Sequence, residues 1–274
     1  MNTSAARSGP VLREPPAPCH EFVVLAHGDS PYLPECLRSV CTQQEESRVI
    51  VTTSSPSAYI FGIARSFGVT VHVCERKAGI TADWNFGLER ASADIVTLAH
   101  QDDVYYPGFA QETCRLFHIS SNASLCFTDY DEIDARGHAL ARGRVLKIKR
   151  LLRAYAVGER EVVESRSRKR RLLSFGSVIP CPSVSLNRRL IPGFRFSDDF
   201  QINLDWDAWW RLHALEYPFV LSRNVLMGHR LHRDAETSRG KRDGRRMDED
   251  RKMFRRIWPL PVANVLATLY RIGY

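Results

Sequence analysis

Ile95-Val96-Thr97-Leu98-Ala99-His100-Gln101-Asp102-Asp103 is the stretch on which the fold turns. Its first five residues are apolar or β-branched, short in run and flanked by polar residues, so they read as a buried strand. Two adjacent carboxylates follow almost at once. Ligands of open α/β sheets bind outside the carboxyl ends of strands. Neighbouring acids there repel each other unless a cation neutralises them, and hard oxygen ligands suit Mg²⁺ or Mn²⁺. The competing reading makes Asp102 the cap of a following helix.

Working outward, Glu21 to Ala26 reads as a first strand and Pro31 to Thr42 as a helix with Leu33, Leu37, Val40 and Cys41 on one face. Arg48 to Thr53 is a second strand, Tyr59 to Phe67 a helix, Val69 to Val73 a third strand, and Thr81 to Ala91 the helix before the Ile95 strand. This alternation indicates βαβ units and a parallel sheet covered on both faces. Residues 1–20 carry Ala, Ser, Pro and Arg without periodicity and are expected to form a disordered leader.

After Pro107 the pattern changes. A helix is expected through about Phe117, then a strand from Leu125 to Tyr130 and a hairpin turn at Ala135-Arg136-Gly137. Arg142 to Leu173 is dense in cations, with Val145, Leu146, Ile148, Leu151 and Leu152 interleaved, which fits a basic amphipathic helix. A solvated face and a membrane or nucleic-acid patch both fit such a helix. Ser174 to Ser185, with Gly176, Pro180 and Pro182, should be loop or edge strand. Asp205 to Leu215 should be a helix whose Trp206, Trp209, Trp210 and His213 are core rather than a sugar platform.

The net charge of +8 favours acidic partners such as nucleotides, anionic lipid or nucleic acid without choosing among them. The seven cysteines are scattered and form no C-x-x-C pair, so neither a zinc site nor a disulfide framework is suggested. The amino terminus has no apolar signal core and no stretch approaches a membrane span, so a reducing, cytoplasmic setting is expected.

Several segments together resemble one family. Val23-Val24-Leu25-Ala26-His27-Gly28-Asp29 and the helix from Tyr32 to Val40 resemble the opening of glycosyltransferase family 2. Gly79-Ile80-Thr81-Ala82-Asp83-Trp84-Asn85-Phe86-Gly87-Leu88 is similar to that family's glycine-to-asparagine helix start. His100-Gln101-Asp102-Asp103 lies where the family carries its DXD metal motif. Leu204-Asp205-Trp206-Asp207 looks like its Glu-Asp motif, and His229-Arg230-Leu231-His232 with Thr237-Ser238 like its late histidine and serine segment. The pieces run in family order over roughly residues 21 to 240.

The resemblance implies a GT-A fold, a Rossmann-type, mostly parallel sheet flanked by helices with a helical carboxyl-terminal part. It also implies inverting transfer from a nucleoside-diphosphate sugar, with UDP as the default nucleotide. The nucleotide-binding half would span about 21–107, the acceptor half about 108–240, and a helical extension 241–274. Three departures stand out. Thr52-Thr53-Ser54-Ser55-Pro56 replaces the usual acid after strand two, so base recognition must differ or rest on hydroxyls and backbone. His100 replaces the first acid of DXD, and Leu204 replaces a glutamate.

The chemistry assigns roles within that frame. Glycosyl transfer needs a neutralised diphosphate, a deprotonated acceptor hydroxyl and exclusion of water. Asp103 is expected to bind the metal directly, with Asp102 on the ribose or an outer-shell water. His100 either donates to a phosphate or packs at the strand end. His232 either completes the metal or diphosphate site, with Arg230 as charge partner, or is an exposed loop histidine. One imidazole in an octahedral site leans toward Mn²⁺ over Mg²⁺. Ala26, His27, Asp29, Thr53 and Asn85 are the further donor contacts, capping being the alternative for Asp29 and Asn85.

Asp205 taken alone reads as a helix cap; with the family it reads as the general base. The expected acceptor is a glycan or a lipid-linked molecule in cell-surface polysaccharide assembly, with peripheral contact to an anionic membrane through the basic segment. A sugar-nucleotide nucleotidyltransferase would want a glycine-rich basic loop after strand one, which Ala26 to Ser30 lacks. A nucleic-acid-binding protein would leave Asp102, Asp103 and Asp205 without roles, so no nucleic acid is expected as partner.

Overall fold

A computed structural model describes residues 20–75, 79–141, 143–232 and 244–272. Strands β1 (His20–Ala26), β2 (Arg48–Thr53), β3 (Thr70–Val73) and β4 (Ile95–His100) alternate with helices α1 (Leu33–Cys41), α2 (Ala58–Ser66) and α3 (Ile80–Arg90). These strands lie in the order β3-β2-β1-β4 and all pair in parallel. Alternating side chains cover both faces of the sheet. Phe22 and Val24 pack with Leu33, Leu37 and Ile60 from α1 and α2, while Val23 packs with Trp84 and Leu88 of α3. All the carboxyl ends of these strands open onto one edge, where the candidate site lies.

Beyond β4 the sheet becomes mixed. β5 (Val104–Tyr105), β6 (Leu125–Ile133), β7 (Val162–Val163), β8 (Val184–Asn187) and β9 (Phe219–Arg230) extend it in the order β8-β6-β9-β5, with β7 also on β9. β8 pairs antiparallel with both β4 and β6. The end of the Ser174–Ser185 segment is therefore a central strand, where loop or edge strand was expected. Its polar alternation is satisfied inside the sheet: the Ser185 and Thr97 hydroxyls lie 2.5 Å apart, and His20 Nε2 lies 2.7 Å from Thr97 Oγ1. β9 has no counterpart in the sequence reading, because Ser222-Arg223-Asn224 interrupts its two apolar runs. A register shift in its pairing with β6 absorbs the interruption.

The basic stretch is not one helix. It forms α5 (Arg144–Val157), the short β7 and α6 (Arg166–Leu173). Gly158, at φ +59, ends α5 in a conformation that excludes most side chains. Arg142 lies outside the described residues. α4 (Phe109–Ile119) and the hairpin are where the sequence put them, the latter closed by Asp134 N donating to His138 O at 2.9 Å.

α7 (Leu204–Leu212) buries Trp206 and Trp209 as core. Two terminal helices, α8 (Arg245–Ile257) and α9 (Leu260–Ile272), deliver Met253, Phe254, Ile257, Ala263 and Ala267 into the same core as Trp206. The helical extension is thus built into the domain. Cys114 is in a disulfide, a correction to the expectation of none, while Cys36, Cys41, Cys74, Cys126 and Cys181 are free thiols. Residues 1–19 of the expected leader, and Thr237 and Ser238, lie outside the described residues.

α3 approaches the sheet at Gly87. A Cβ there would meet Leu25 Cδ2 at 3.0 Å, Val23 Cγ1 at 3.1 Å and Leu98 Cδ2 at 3.3 Å. Gly87→Leu should therefore overpack the α3 interface and lower stability by about 1–3 kcal/mol in urea unfolding. An unchanged midpoint would mean that the helix can be displaced freely.

Candidate active site

The loop after β4 carries Asp102 and Asp103 to the sheet edge, and β9 ends against it. Arg230, the last residue of β9, is 1% exposed and holds the two together. Its backbone N–H donates to Asp103 Oδ1 at 2.9 Å, and its Nε to the Asp102 carbonyl at 2.7 Å. Its remaining guanidinium nitrogens reach the Asp134 carbonyl at 3.0 Å and Glu35 Oε2 at 2.6 Å, with Tyr32 stacked on the guanidinium. Arg230 is therefore a clamp between β9, the acid loop, α1 and the hairpin, not chiefly a charge partner of His232.

Asp103 is fully buried. Its Oδ1 also accepts from His229 Nδ1 at 3.1 Å. Its Oδ2 is buried with no hydrogen-bond partner among the described residues, and His100 Nε2 is orphaned in the same way. A buried unpaired carboxylate oxygen is costly unless something absent from the protein atoms satisfies it. His100, Asp102 and Asp103 each offer a ligand atom, all within 4.8 Å of one another. The donor set, two carboxylates and one imidazole, suits a hard to borderline divalent cation. The His100 ring is held 5.0 Å from Trp84 of α3, centroid to centroid. So the structure brings His100 to the acids. His232 instead lies with Nε2 2.8 Å from Asp102 Oδ2, its ring 4.9 Å from Tyr32, and is not in the three-residue cluster.

The histidines set the electrostatics. Burial alone would push the Asp102 carboxyl up, but the hydrogen bond from His232 and the nearby His100 and His229 outweigh it and hold the group below its ordinary range. Burial lowers His229, and the Asp103 carboxylate more than restores it, leaving the imidazole above its ordinary value.

Asp205 stands in the first turn of α7. It is not the cap, a position Asn203 takes. Its Oδ1 accepts from Trp206 N at 2.7 Å, and Ser177 Oγ lies 3.5 Å from Oδ2. Burial pushes its carboxyl above the ordinary Asp value, with Arg246, Lys149 and His100 among the groups that oppose the shift. Burial and then the charges of Asp205 and Asp103 raise the Cys181 thiol, so both acids act on the same small region. Asp207 is different. It is fully buried and bound by Arg211 at 2.9 Å and by Arg256.

Toward the β1 and β2 ends, Ala26 is the buried last residue of β1 and His27 is exposed. Gln101 grips the His27 backbone twice, at 3.0 and 2.8 Å. Gly28, at φ +61, donates to Ser55 Oγ at 2.8 Å, and Thr53 Oγ1 accepts from Ser55 N at 3.0 Å. Asp29 accepts from Ser57 Oγ at 2.6 Å and so buttresses the cap of α2. Asn85 is turned away from the crevice. Its amide donates to the Phe196 carbonyl at 3.0 Å and accepts from Phe196 N at 2.8 Å, which pins the loop before α7.

Three residues with structural weight were missed in the sequence. Gln101 was passed over as a spacer. Glu249 of α8 accepts the backbone N–H groups of Gln201, Ile202 and Asn203, each at 2.8 Å, and so fixes the start of α7; no local pattern links it to Asp205. Lys149 of α5 acts on both Asp205 and His229, and only its place in a basic stretch hinted at proximity to acids.

With this geometry in view, residues 21–189 match the family model described as Glycosyl transferase family 2. The chain belongs to glycosyltransferase family 2. No curated protein sequence matches it closely enough to add a relative. Among solved structures, the mannosyltransferase PcManGT from Pyrobaculum calidifontis, in complex with GDP-Man and Mn²⁺, is 13% identical with a TM-score of 0.64, covering 93% of this chain and 70% of that one. TarS 1-349 of S. aureus in complex with UDP-GlcNAc is 12% identical with a TM-score of 0.62, covering 90% and 70%. Glucosyl-3-phosphoglycerate synthase from Mycobacterium tuberculosis, in complex with Mn²⁺ and UDP-Glc, is 17% identical with a TM-score of 0.53, covering 82% and 76%. At these identities the likeness establishes the GT-A fold, and the family establishes a glycosyltransferase.

Asp103→Asn tests the metal reading without dismantling the loop, because the amide oxygen can keep both bonds of Oδ1 while the orphaned Oδ2 loses its charge. Melting temperature should change little, and the added stabilisation by UDP in Mn²⁺ should disappear, as it should for the parent in EDTA. Saturating ligand at about a hundredfold its Kd adds roughly 2.7 kcal/mol, so the loss is readily measured. Equal stabilisation of parent and variant would reject Asp103 as a ligand.

Proposed function

We propose that this chain is an inverting, metal-dependent glycosyltransferase that uses a nucleoside-diphosphate sugar, by default a UDP-sugar. The observation that carries the reading is the pair of orphaned buried ligand atoms, Asp103 Oδ2 and His100 Nε2, in electrostatic reach of the half-free carboxylate of Asp205. Complexes of family-fold relatives with UDP-GlcNAc, UDP-Glc and GDP-Man support the donor class, and Mn²⁺ in two of them supports the cation.

Asp103, His100 and Asp102 would hold a divalent cation, Mn²⁺ or Mg²⁺, which when bound neutralises the diphosphate leaving group. His232 keeps Asp102 ionised and oriented. Asp205 takes the proton of the acceptor hydroxyl, whose oxygen attacks the anomeric carbon from the face opposite the diphosphate, inverting that centre. The raised pKa brings Asp205 closer to the basicity a general base needs at neutral pH.

Asp205 and Asp207 should separate cleanly. A carboxyl whose folded pKa lies above its unfolded value binds more protons folded than unfolded. Its charge therefore costs stability above that raised value, and the cost fades as pH falls toward the ordinary Asp value. Asp205→Asn keeps the Trp206 N–H bond and removes the charge. It should raise the melting temperature at pH 7 while lowering transfer by roughly 10²–10⁴-fold. In the parent, transfer should fall as pH drops through the raised Asp205 pKa. Asp207→Asn breaks two buried-end ion pairs, should cost on the order of 2 kcal/mol, and should leave turnover per folded molecule nearly intact. Transfer by Asp205→Asn within a few-fold of the parent would sink the assignment.

We also propose peripheral contact with an anionic membrane, which suits a lipid-linked acceptor. No described helix is long and apolar enough to cross a membrane. On α5, Ile148, Leu151 and Tyr155 lie at i, i+3 and i+7 and are 50%, 69% and 65% exposed. Arg144 and Lys147 are exposed on the same helix, and the exposed Arg171 of α6 lies over the Tyr155 ring at 5.3 Å. Apolar wedges within a cationic field are what an interfacial surface needs. The protein should sediment with anionic vesicles at low salt, and Leu151→Glu should release it. Equal recovery from neutral and anionic vesicles would reject the contact.

A further inference from the structure

From Ile257 to Tyr270 the chain carries no charged residue, in a protein of which 26% is charged. Such a stretch is ordinary inside a core, but α9 buries one side only. Ala263 and Ala267 lie in the core, with Leu266 and Tyr270 packed against it. Tyr270 fixes that side of the helix. Its ring stands 5.6 Å from Phe254 and 6.0 Å from Trp206, and its hydroxyl accepts from Ser177 N at 3.2 Å. The outer side is left with Val262, Val265 and Leu269 at i, i+3 and i+7, and with Leu260 in the first turn. All four are exposed, Val265 and Leu269 at 59% each. A row of exposed aliphatics without a charge among them marks an interaction surface.

α8 packs against α9 and seats Met253, Phe254 and Ile257 in the same core. Its outer side is cationic. Arg251, Lys252, Arg255 and Arg256 are exposed there, and with Asp248 they line a cavity of about 450 Å³. α6 joins this helix pair to α5: Arg170 Nη2 donates to the Ile257 carbonyl at 3.4 Å, and Arg171 lies 5.3 Å over the Tyr155 ring. We infer that the outer side of the α8–α9 pair is a seat on an anionic lipid bilayer. α9 lays its aliphatic row among the acyl chains, and α8 sets its cations on the headgroups. The inference extends the peripheral membrane reading to a second surface and shares no residue with the α5 wedge, so either can fail alone. Charge and size choose the occupant. Cations beside an apolar face fit an anionic headgroup layer. A second copy on the same face would set like charges at the rim of the contact. Four aliphatic side chains also fall well short of the roughly 800 Å² per partner that a stable dimer buries.

The test is sedimentation of the full chain with phosphatidylglycerol and with phosphatidylcholine vesicles. It compares the parent, Leu151→Glu, the α9 double variant Val265→Gln with Leu269→Gln, and the α8 double variant Arg251→Gln with Arg255→Gln. The α9 variant changes no charge and places a good helix former at exposed positions, so its melting temperature should stay at the parent's. Its affinity for phosphatidylglycerol vesicles should fall by roughly tenfold. The α8 variant should lose a similar factor and show a flatter salt dependence, because each lost cation removes a screened attraction. Release by the α9 variant and not by Leu151→Glu would support this seat and reject the α5 contact. Parent-like affinity of the α9 variant, with release by Leu151→Glu, would overturn the inference and leave the α5 contact standing. A dimer in analytical ultracentrifugation that the α9 variant dissolves, with vesicle binding unchanged, would assign the face to a second copy and overturn the inference. Failure of the parent to sediment with phosphatidylglycerol would overturn both contacts, while stabilisation by UDP in Mn²⁺ reports the active site separately.

Discussion

Arg230 joins four pieces of chain that are far apart in sequence: the end of β9, the Asp102–Asp103 loop, Glu35 on α1 and the turn at Asp134. A guanidinium this buried is tolerable only when its donors are paired, since removing a charge from water costs several kcal/mol before compensation. The compensation comes from two carbonyls, one carboxylate and the Tyr32 ring. The geometric consequence is direct. The Arg230 backbone N–H occupies Asp103 Oδ1, and His229 beside it occupies the same atom, so Oδ2 is left without a hydrogen bond among the described residues, 4.0 Å from His100 Nδ1. The clamp therefore positions the ligand atom as well as the strand.

Two pairs of nearby aspartates carry the acids of the site, and in the second pair one member is tied while the other is not. Asp103 is fixed at Oδ1 by β9 while Asp102 is oriented by His232. Asp207 is enclosed by Arg211 and Arg256, while Asp205 keeps a carboxylate oxygen with only a long contact to Ser177. The tied Asp207 is what makes Asp205 usable. Arg256, through Asp207, and Glu249 hold the first turn of α7 in place from α8, so Asp205 can be raised by burial without relocating. A strained or desolvated functional group persists only where its surroundings over-determine it.

The strands and helices up to β4 were legible because each is a continuous apolar period bounded by turn residues. Asp102 and Asp103 were legible because they follow such an element at a strand end, and Asp205 because it opens a tryptophan-rich helix. What escaped was everything that depends on long-range polar satisfaction. β8 carries Ser185 and Asn187 in a central position, which no periodicity rule favours, and the burial of Ser185 makes sense only once Thr97 and His20 stand opposite. β9 is broken by Ser222 to Asn224. Asn85 was read as a donor contact from its motif, whereas the structure directs both ends of its amide to Phe196. The basic stretch misled because cations were counted without the stop at Gly158.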